Sequence, residues 1–262
     1  MSQENIPDYG TWVPKKLVVL LWVLTVLALV LSILGFSLGW NNILNAVLVV
    51  AFFVALFFAI SMTGLRWTFS YSGGRLMEKI HDFVVSKLPS DMEGKVLDVG
   101  CGSGALAINI AKKNPKAHIT GVDYWGMGWD YGKKMCERNA ELEHVSNVDF
   151  QKGDACHLDF PDESFDAVVS NFVYHEVRVE PDKEKLMRET LRVLKKGGTF
   201  ALHDMMEDRH IYKDMDRFIE ELKKEGFQEV NYLPNTENLP FVPGYTRTYM
   251  FFKGMGILYG RK

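Results

Sequence analysis

Forty-nine consecutive residues, Leu17 to Leu65, contain no Asp, Glu, Lys or Arg. Two apolar runs fill most of that stretch: LVVLLWVLTVLALVLSILGFSL (17–38, 22 residues) and ILNAVLVVAFFVALFFAISM (43–62, 20 residues). A bilayer core about 30 Å thick takes about 20 helical residues, so each run is long enough to span. The GWNN between them is a tight connection, with Gly39 and Trp40 at the expected water interface. The pattern predicts a transmembrane helical hairpin over 17–65, preceded by a short segment 1–16. A cleaved signal peptide fits less well, because its apolar core is about 7 to 15 residues and no second span follows it. A buried core helix seldom runs so far without a charge.

Orientation comes from the flanks. Lys15 and Lys16 precede the first run, Arg66 and Arg75 follow the second, and the connection has neither Lys nor Arg. The positive-inside rule then puts both termini, and the domain after the hairpin, in the cytoplasm. Asn45 is placed to hydrogen-bond the first helix or a neighbouring chain, which leaves a homo-oligomer through the hairpin open.

The remainder is ordinary in charge. Residues 1–65 hold two bases and two acids, leaving 28 bases and 31 acids for 66–262. With no basic excess, nucleic acid is not an expected partner. Cys101, Cys136 and Cys156 are odd in number and lack a C-x-x-C spacing, so neither a disulfide framework nor a metal site is expected.

Residues 66–90 read as a linker and an amphipathic helix: after Gly73-Gly74, the residues Leu76, Met77, Ile80, Phe83, Val84 and Leu88 share one helical face. That face is expected to pack on the domain 91–262 rather than lie on lipid. From Lys95, short apolar runs alternate with helical stretches. Strands are expected at 95–100, 118–123, 148–154, 167–171 and 200–204, with helices at 105–114, 131–145, 182–194 and 212–225. Such alternation predicts an α/β fold with a doubly wound, mostly parallel sheet. Two closing strands, 227–233 and 248–260, lack a helix between them. They complete a seven-stranded Rossmann-like sheet with an antiparallel final strand.

VLDVGCGSG (96–104) carries a strand into three glycines on alternate positions. A glycine loop after a strand suits NAD, FAD or S-adenosylmethionine equally, and the neighbours separate them. Asp98, two residues before Gly100, would repel a pyrophosphate but suits a ligand bearing an ammonium and a sulfonium. Gly100, Gly102 and Gly104 allow close approach of an amino-acid moiety. Asp123 ends the second strand, where a carboxylate accepts from ribose hydroxyls. Tyr124 and Trp125 offer aromatic faces to an adenine edge, and Asp154 an acceptor for its amino group. Asn171 ends the fourth strand below the expected methyl position and is expected among the cofactor-binding residues.

In order and spacing, VLDVGCGSG, GVDYW, KGDA, FDAVVSN and LRVLKKGGTFALHD resemble the successive motifs of class I S-adenosylmethionine-dependent methyltransferases. The likeness covers roughly residues 76–262. It implies S-adenosylmethionine as cofactor, with Asp98, Gly100, Gly102 and Gly104 around its methionine part, Asp123 at the ribose, and Asp154 with Ala155 at the adenine.

Methyl transfer needs an aligned nucleophile and, for some acceptors, a base. His175, Tyr174 and Glu176 follow the fourth strand, and His175 is a candidate base near neutral pH. A histidine at a helix start facing solvent is the plainer alternative. His203-Asp204 sits on the same rim, and Tyr71 is a candidate cover over the methyl group. Asn171-Phe172-Val173 departs from the D/N-P-P-Y/F pattern of enzymes that methylate nucleic-acid amines and glutamine. The loop LPNTENLPFVPGYTR (233–247) is expected to cover the acceptor. Together these features point to a membrane-anchored methyltransferase with a lipophilic small-molecule or lipid acceptor. A soluble small molecule or thiol with the hairpin as tether, and a cofactor-binding membrane module without turnover, are the alternatives.

Overall fold

The computed structural model describes residues 6–126, 132–248 and 252–262. The chain forms two compact units, Gly10–Leu76 and a second built from Met1–Tyr9 with Met77–Lys262.

The first unit is a helical hairpin. Helix α1 (Lys15–Ser37) starts directly after Pro14 and ends where Gly39 adopts φ +68°. Helix α2 (Asn42–Phe69) is capped by Asn41, whose side chain accepts from the Ile43 amide at 2.8 Å. It runs seven residues beyond the expected span: a lone Gly64 does not stop it, and the Gly73-Gly74 pair comes later. Arg66 therefore lies inside the helix, and its guanidinium donates to Thr11 Oγ1 (3.1 Å) and the Val13 carbonyl (2.5 Å). The two helices run antiparallel. Trp22 Nε1 donates to Thr63 Oγ1 at 3.0 Å near one end, and at the other a Cβ on Gly35 would sit 2.2 Å from Asn45 Oδ1. Thr25, Ser32, Asn45, Ala59 and Ser61 are buried, while Val23, Val26, Phe53 and Phe57 are more than half exposed. Leu65 and Phe69 are buried as well, and both helices are long and apolar enough to cross a bilayer.

The second unit is the expected α/β fold. Helix α3 (Leu76–Val85) leads into β1 (Gly94–Val99), α4 (Ala105–Lys113), β2 (Ala117–Asp123), α5 (Lys133–Leu142) and β3 (Val148–Lys152). Then come β4 (Phe165–Asn171), α6 (Lys183–Arg192), β5 (Leu194–Asp204), α7 (Met215–Lys224), β6 (Glu229–Pro234) and β7 (Gly256–Arg261). The seven strands lie in the order β3-β2-β1-β4-β5-β7-β6. The first five are parallel, and β7 is antiparallel to both β5 and β6. Alternate strand residues face opposite layers. Leu97, Val99, Val168, Phe200 and Leu202 pack with α6 and α7, whereas Val96, Ile119, Val169 and Ala201 pack with α3, α4 and α5.

Several boundaries differ from the sequence reading. The strand expected at 200–204 begins at Leu194; its pairing with β4 slips between Phe165↔Leu194 and Ala167↔Thr199, so the extra residues bulge out of β5 between Leu194 and Thr199. The closing strand expected at 248–260 is confined to Gly256–Arg261, since its partner β6 has only six residues to pair with. Gly244–Thr248 forms a 3₁₀ turn, and 249–251 lie outside the described residues. Residue 131, the expected start of α5, lies outside them too.

Candidate active site

The strand order reverses between β1 and β4, and the crevice at their carboxyl ends is where open α/β sheets bind ligands. The glycine loop crosses it. Gly100 and Cys101 amides donate to the Val122 carbonyl at 2.7 and 3.0 Å, folding the loop back toward β2. Gly100 has φ +76°, and a Cβ there would lie 2.2 Å from Val173 Cγ2. The glycine is thus required twice, by conformation and by space.

Asp123, at the end of β2, holds the loop in place. Its Oδ2 accepts from the Gly102 amide at 2.8 Å and its Oδ1 from the Trp125 amide at 2.7 Å. Trp125 then returns: its indole N–H donates to the Gly102 carbonyl at 2.8 Å. The tryptophan read as an adenine face is a brace between β2 and the glycine loop. Tyr124 is 63% exposed beside it, with Lys152 over its ring. Asn139 of α5 adds a second brace, donating to the Ser103 carbonyl (3.1 Å) and the Asp8 carbonyl (2.9 Å) while accepting from the Asp8 amide. Neither brace was legible in the sequence, since each joins residues far apart in the chain.

Asp98 is buried, and its Oδ2 has no hydrogen-bond partner. Burial, with the charge of Asp123 adding to it, raises its pKa to about 8. An unsatisfied buried carboxylate is costly unless a donor or cation meets it. That is the partner an ammonium-bearing ligand brings, so the donor set fits S-adenosylmethionine. Asp154 forms a tight turn, its Oδ1 accepting from the Cys156 amide at 2.8 Å, and Ala155 packs against the core.

The β4–β5 rim departs further from expectation. Tyr174 is fully buried in the core, away from the crevice surface, and its hydroxyl donates to Thr190 at 3.0 Å. His175 Nδ1 lies 2.5 Å from Oδ1 of the fully buried Asp204. Burial pulls the imidazole pKa down, but the charges and hydrogen bonds of Asp204 and Glu176 outweigh it and raise it to about 10. Burial in turn pushes Asp204 up, and His175 holds it below the usual carboxylate range. The raised imidazole and lowered carboxyl favour an imidazolium–carboxylate pair, in which His175 is a proton donor to Asp204. Asn171 and His203 are hydrogen-bonded at 2.8 Å. Phe172 takes φ +56° and lays its ring 4.7 Å from that of His203. Tyr71 is half-buried in the turn after α2, within the helical unit. Among the described residues no group of three metal-ligating side chains occurs.

A reversed parallel sheet, a glycine loop and an acid at the end of each of the first two strands define a nucleotide-dependent α/β enzyme. Residues 90–238 match the profile of the family described as "Methyltransferase domain". The chain belongs to that family, and S-adenosylmethionine is the cofactor of this fold and site. It is 30% identical over 176 residues to demethylmenaquinone methyltransferase of Listeria monocytogenes, covering 63% of this chain and 70% of that one. It is 39% identical over 113 residues to sterol 24-C-methyltransferase of Aspergillus fumigatus (43% and 28%) and to the ubiquinone/menaquinone C-methyltransferase of Bartonella henselae (43% and 41%). The chain thus spans less than half the length of these last two relatives. In fold it is similar to the 4+2 cyclase SpnF (TM-score 0.55, 22% identity, 70% of this chain and 80% of that one). It is also similar to phosphoethanolamine N-methyltransferase 2 of Haemonchus contortus (0.54, 17%, 70% and 52%).

Proposed function

We propose that the chain is a membrane-anchored methyltransferase that moves a methyl group from S-adenosylmethionine to a lipophilic small molecule or lipid. The observation that carries the reading is the hairpin's attachment. Asp8, before the hairpin, exchanges hydrogen bonds with Asn139 of α5, and the chain after it enters the same α/β unit, so both ends lead back to the methyltransferase domain. A hairpin that crosses a bilayer twice must do this, and Lys15, Lys16 and Arg66 at those ends favour the cytoplasmic side. The large apolar side chains on its outer faces would each forfeit about 1.5–3 kcal/mol in water, which lipid restores. The curated relatives named for sterols and quinones support a lipophilic acceptor.

When bound, the cofactor supplies an electrophilic methyl group on a sulfonium. Asp98 would neutralise the ammonium of its methionine part, with Gly100, Gly102 and Gly104 giving the backbone close approach. Asp123, its oxygens each accepting one amide already, keeps lone pairs for ribose hydroxyls. Asp154, Ala155 and Tyr124 are the residues for the adenine. Asn171 and the 233–247 loop belong to the acceptor side. Asn171, Phe172, His203 and Thr236 would exclude water and align the acceptor there, which is the protein's main contribution to an in-line displacement.

The test uses the full chain in nanodiscs, S-adenosylmethionine labelled in the methyl group and a total cell extract as acceptor pool, with Asp98→Ala as control. Label in the organic phase, lost in the variant, is the expected result. Label confined to the aqueous phase would reduce the hairpin to a tether. Cofactor retained with no label transferred would favour a binding module, a reading the fold-level likeness to a cyclase keeps open.

A further inference from the structure

Asn171 and His203 are register partners at the carboxyl ends of β4 and β5. His203 Nδ1 meets Asn171 Oδ1 at 2.8 Å, and Nε2 meets Thr236 Oγ1 at 2.8 Å. An amide oxygen only accepts, so Nδ1 carries the proton. A neutral ring then has a bare Nε2, which accepts from the Thr236 hydroxyl. Full burial keeps the ring neutral, lowering its pKa to about 4 although Asp204 lies next to it. The charge of Asp204 is engaged by His175, and His81 of α3, the other titratable neighbour, is itself buried and held neutral.

In this arrangement the oxygen of Asn171 faces His203. With its oxygen committed to His203, its Nδ2 faces Met77 Sδ at 3.7 Å. A thioether is a weak acceptor, so the amide hydrogens are held by a partner that any oxygen would displace. Phe172 and Phe83 border the same histidine, with ring centroids 4.7 and 6.3 Å away, and an apolar border strengthens a hydrogen bond made beside it.

We propose that Asn171 Nδ2 donates to an oxygen of the methyl acceptor, and that His203, with Thr236 behind it, is the positioning residue that aims it. The inference rests on the methyltransferase reading and narrows the acceptor to a molecule with a hydroxyl, enol or carbonyl oxygen at or beside the methylated atom. In transfer, the acceptor atom bonds to the methyl carbon as the carbon–sulfur bond breaks toward sulfur. The acceptor's proton passes to bulk water as the methylated product leaves the crevice, with Tyr174 committed to Thr190 and His175 paired with Asp204.

The experiment has three arms on the full chain in nanodiscs. Nitrogen-15 NMR of labelled histidine should show His203 with its proton on Nδ1 and no titration between about pH 5 and 9. Cofactor affinity by calorimetry should agree within about twofold among wild type, Asn171→Leu and Thr236→Val. Methyl transfer to a dodecyl hydroquinone probe should fall roughly 10- to 100-fold in Asn171→Leu. In Thr236→Val it should fall several-fold, together with a shift of the His203 nitrogen signals. A proton on Nε2, or a ring that titrates near 6.5, overturns the positioning chain. Asn171→Leu with transfer within about threefold of wild type overturns the donor role. Wild type that binds cofactor but leaves the hydroquinone unmethylated overturns the oxygen acceptor. Wild type that binds no cofactor defeats the underlying reading instead.

Discussion

The two halves of the crevice are built in opposite ways. On the β1–β2 side, the glycine loop, Asp98 and Asp123 come from two short stretches that turn back on each other through backbone hydrogen bonds. On the β4–β5 side, Asn171, His203, Thr236 and Phe83 come from four segments and meet through side chains. A site whose ligand is shared by many enzymes can be made from backbone and a few local acids. On the proposed function the β4–β5 side holds the acceptor, and a single substitution there is expected to change transfer more than cofactor binding.

That contrast breaks most readily at Gly100. Alanine would bring a Cβ to 2.2 Å from Val173 Cγ2 at a φ of +76°. We expect a loss of about 2–4 kcal/mol in stability and no measurable cofactor binding, by thermal melts and calorimetry. Unchanged binding would remove the glycine loop from the site.

Next comes the buried pair on the acceptor side. Asp204→Asn leaves His175 without its counter-charge and should cost about 3 kcal/mol. The pH dependence has a definite sign. His175 is raised, so its contribution is full below its unfolded pKa of about 6.5 and fades as pH rises toward about 10. Asp204 is lowered, so its contribution is present above about 4 and lost below. Melting temperature should therefore peak between roughly pH 4 and 6.5 for this pair, and the variant should flatten that part of the profile.

On the cofactor side Asp98 behaves oppositely. Its pKa of about 8 means the folded apo protein prefers it protonated, so its contribution to stability declines as pH rises from about 4 toward 8. A cationic ligand favours the carboxylate. Binding below about pH 8 should then release a proton, with affinity falling by up to about tenfold per unit of acidification. Calorimetry in two buffers of different ionisation enthalpy measures the release. Asp98→Asn should abolish it and weaken binding about 10- to 100-fold.

The smallest expected effect is at Tyr124, which is 63% exposed. Tyr124→Ala should leave stability within about 0.5 kcal/mol and weaken cofactor binding only a few-fold. A larger loss would mean that the ring carries the adenine more than its exposure implies.

The two long apolar helices, the alternating α/β sheet and the positions of Asp98, Asp123 and the glycine turn at the strand ends were legible in the sequence. Each rests on signals that short stretches carry alone: apolar length, hydrophobic period, and glycine where φ is positive. The extension of α2 through Arg66 and the short β7 were missed, because helix continuation and strand length depend on what packs or pairs alongside. The partners of His175, Tyr174 and Trp125 were not legible for a related reason. Position near a strand end says that a side chain is close to the crevice, but not what it bonds. Only the tertiary structure set Asp204 against His175, Thr190 against Tyr174, Gly102 against the Trp125 indole and Thr236 behind His203. Proton location and side-chain direction follow from partners and burial, and those are decided by residues tens of positions away.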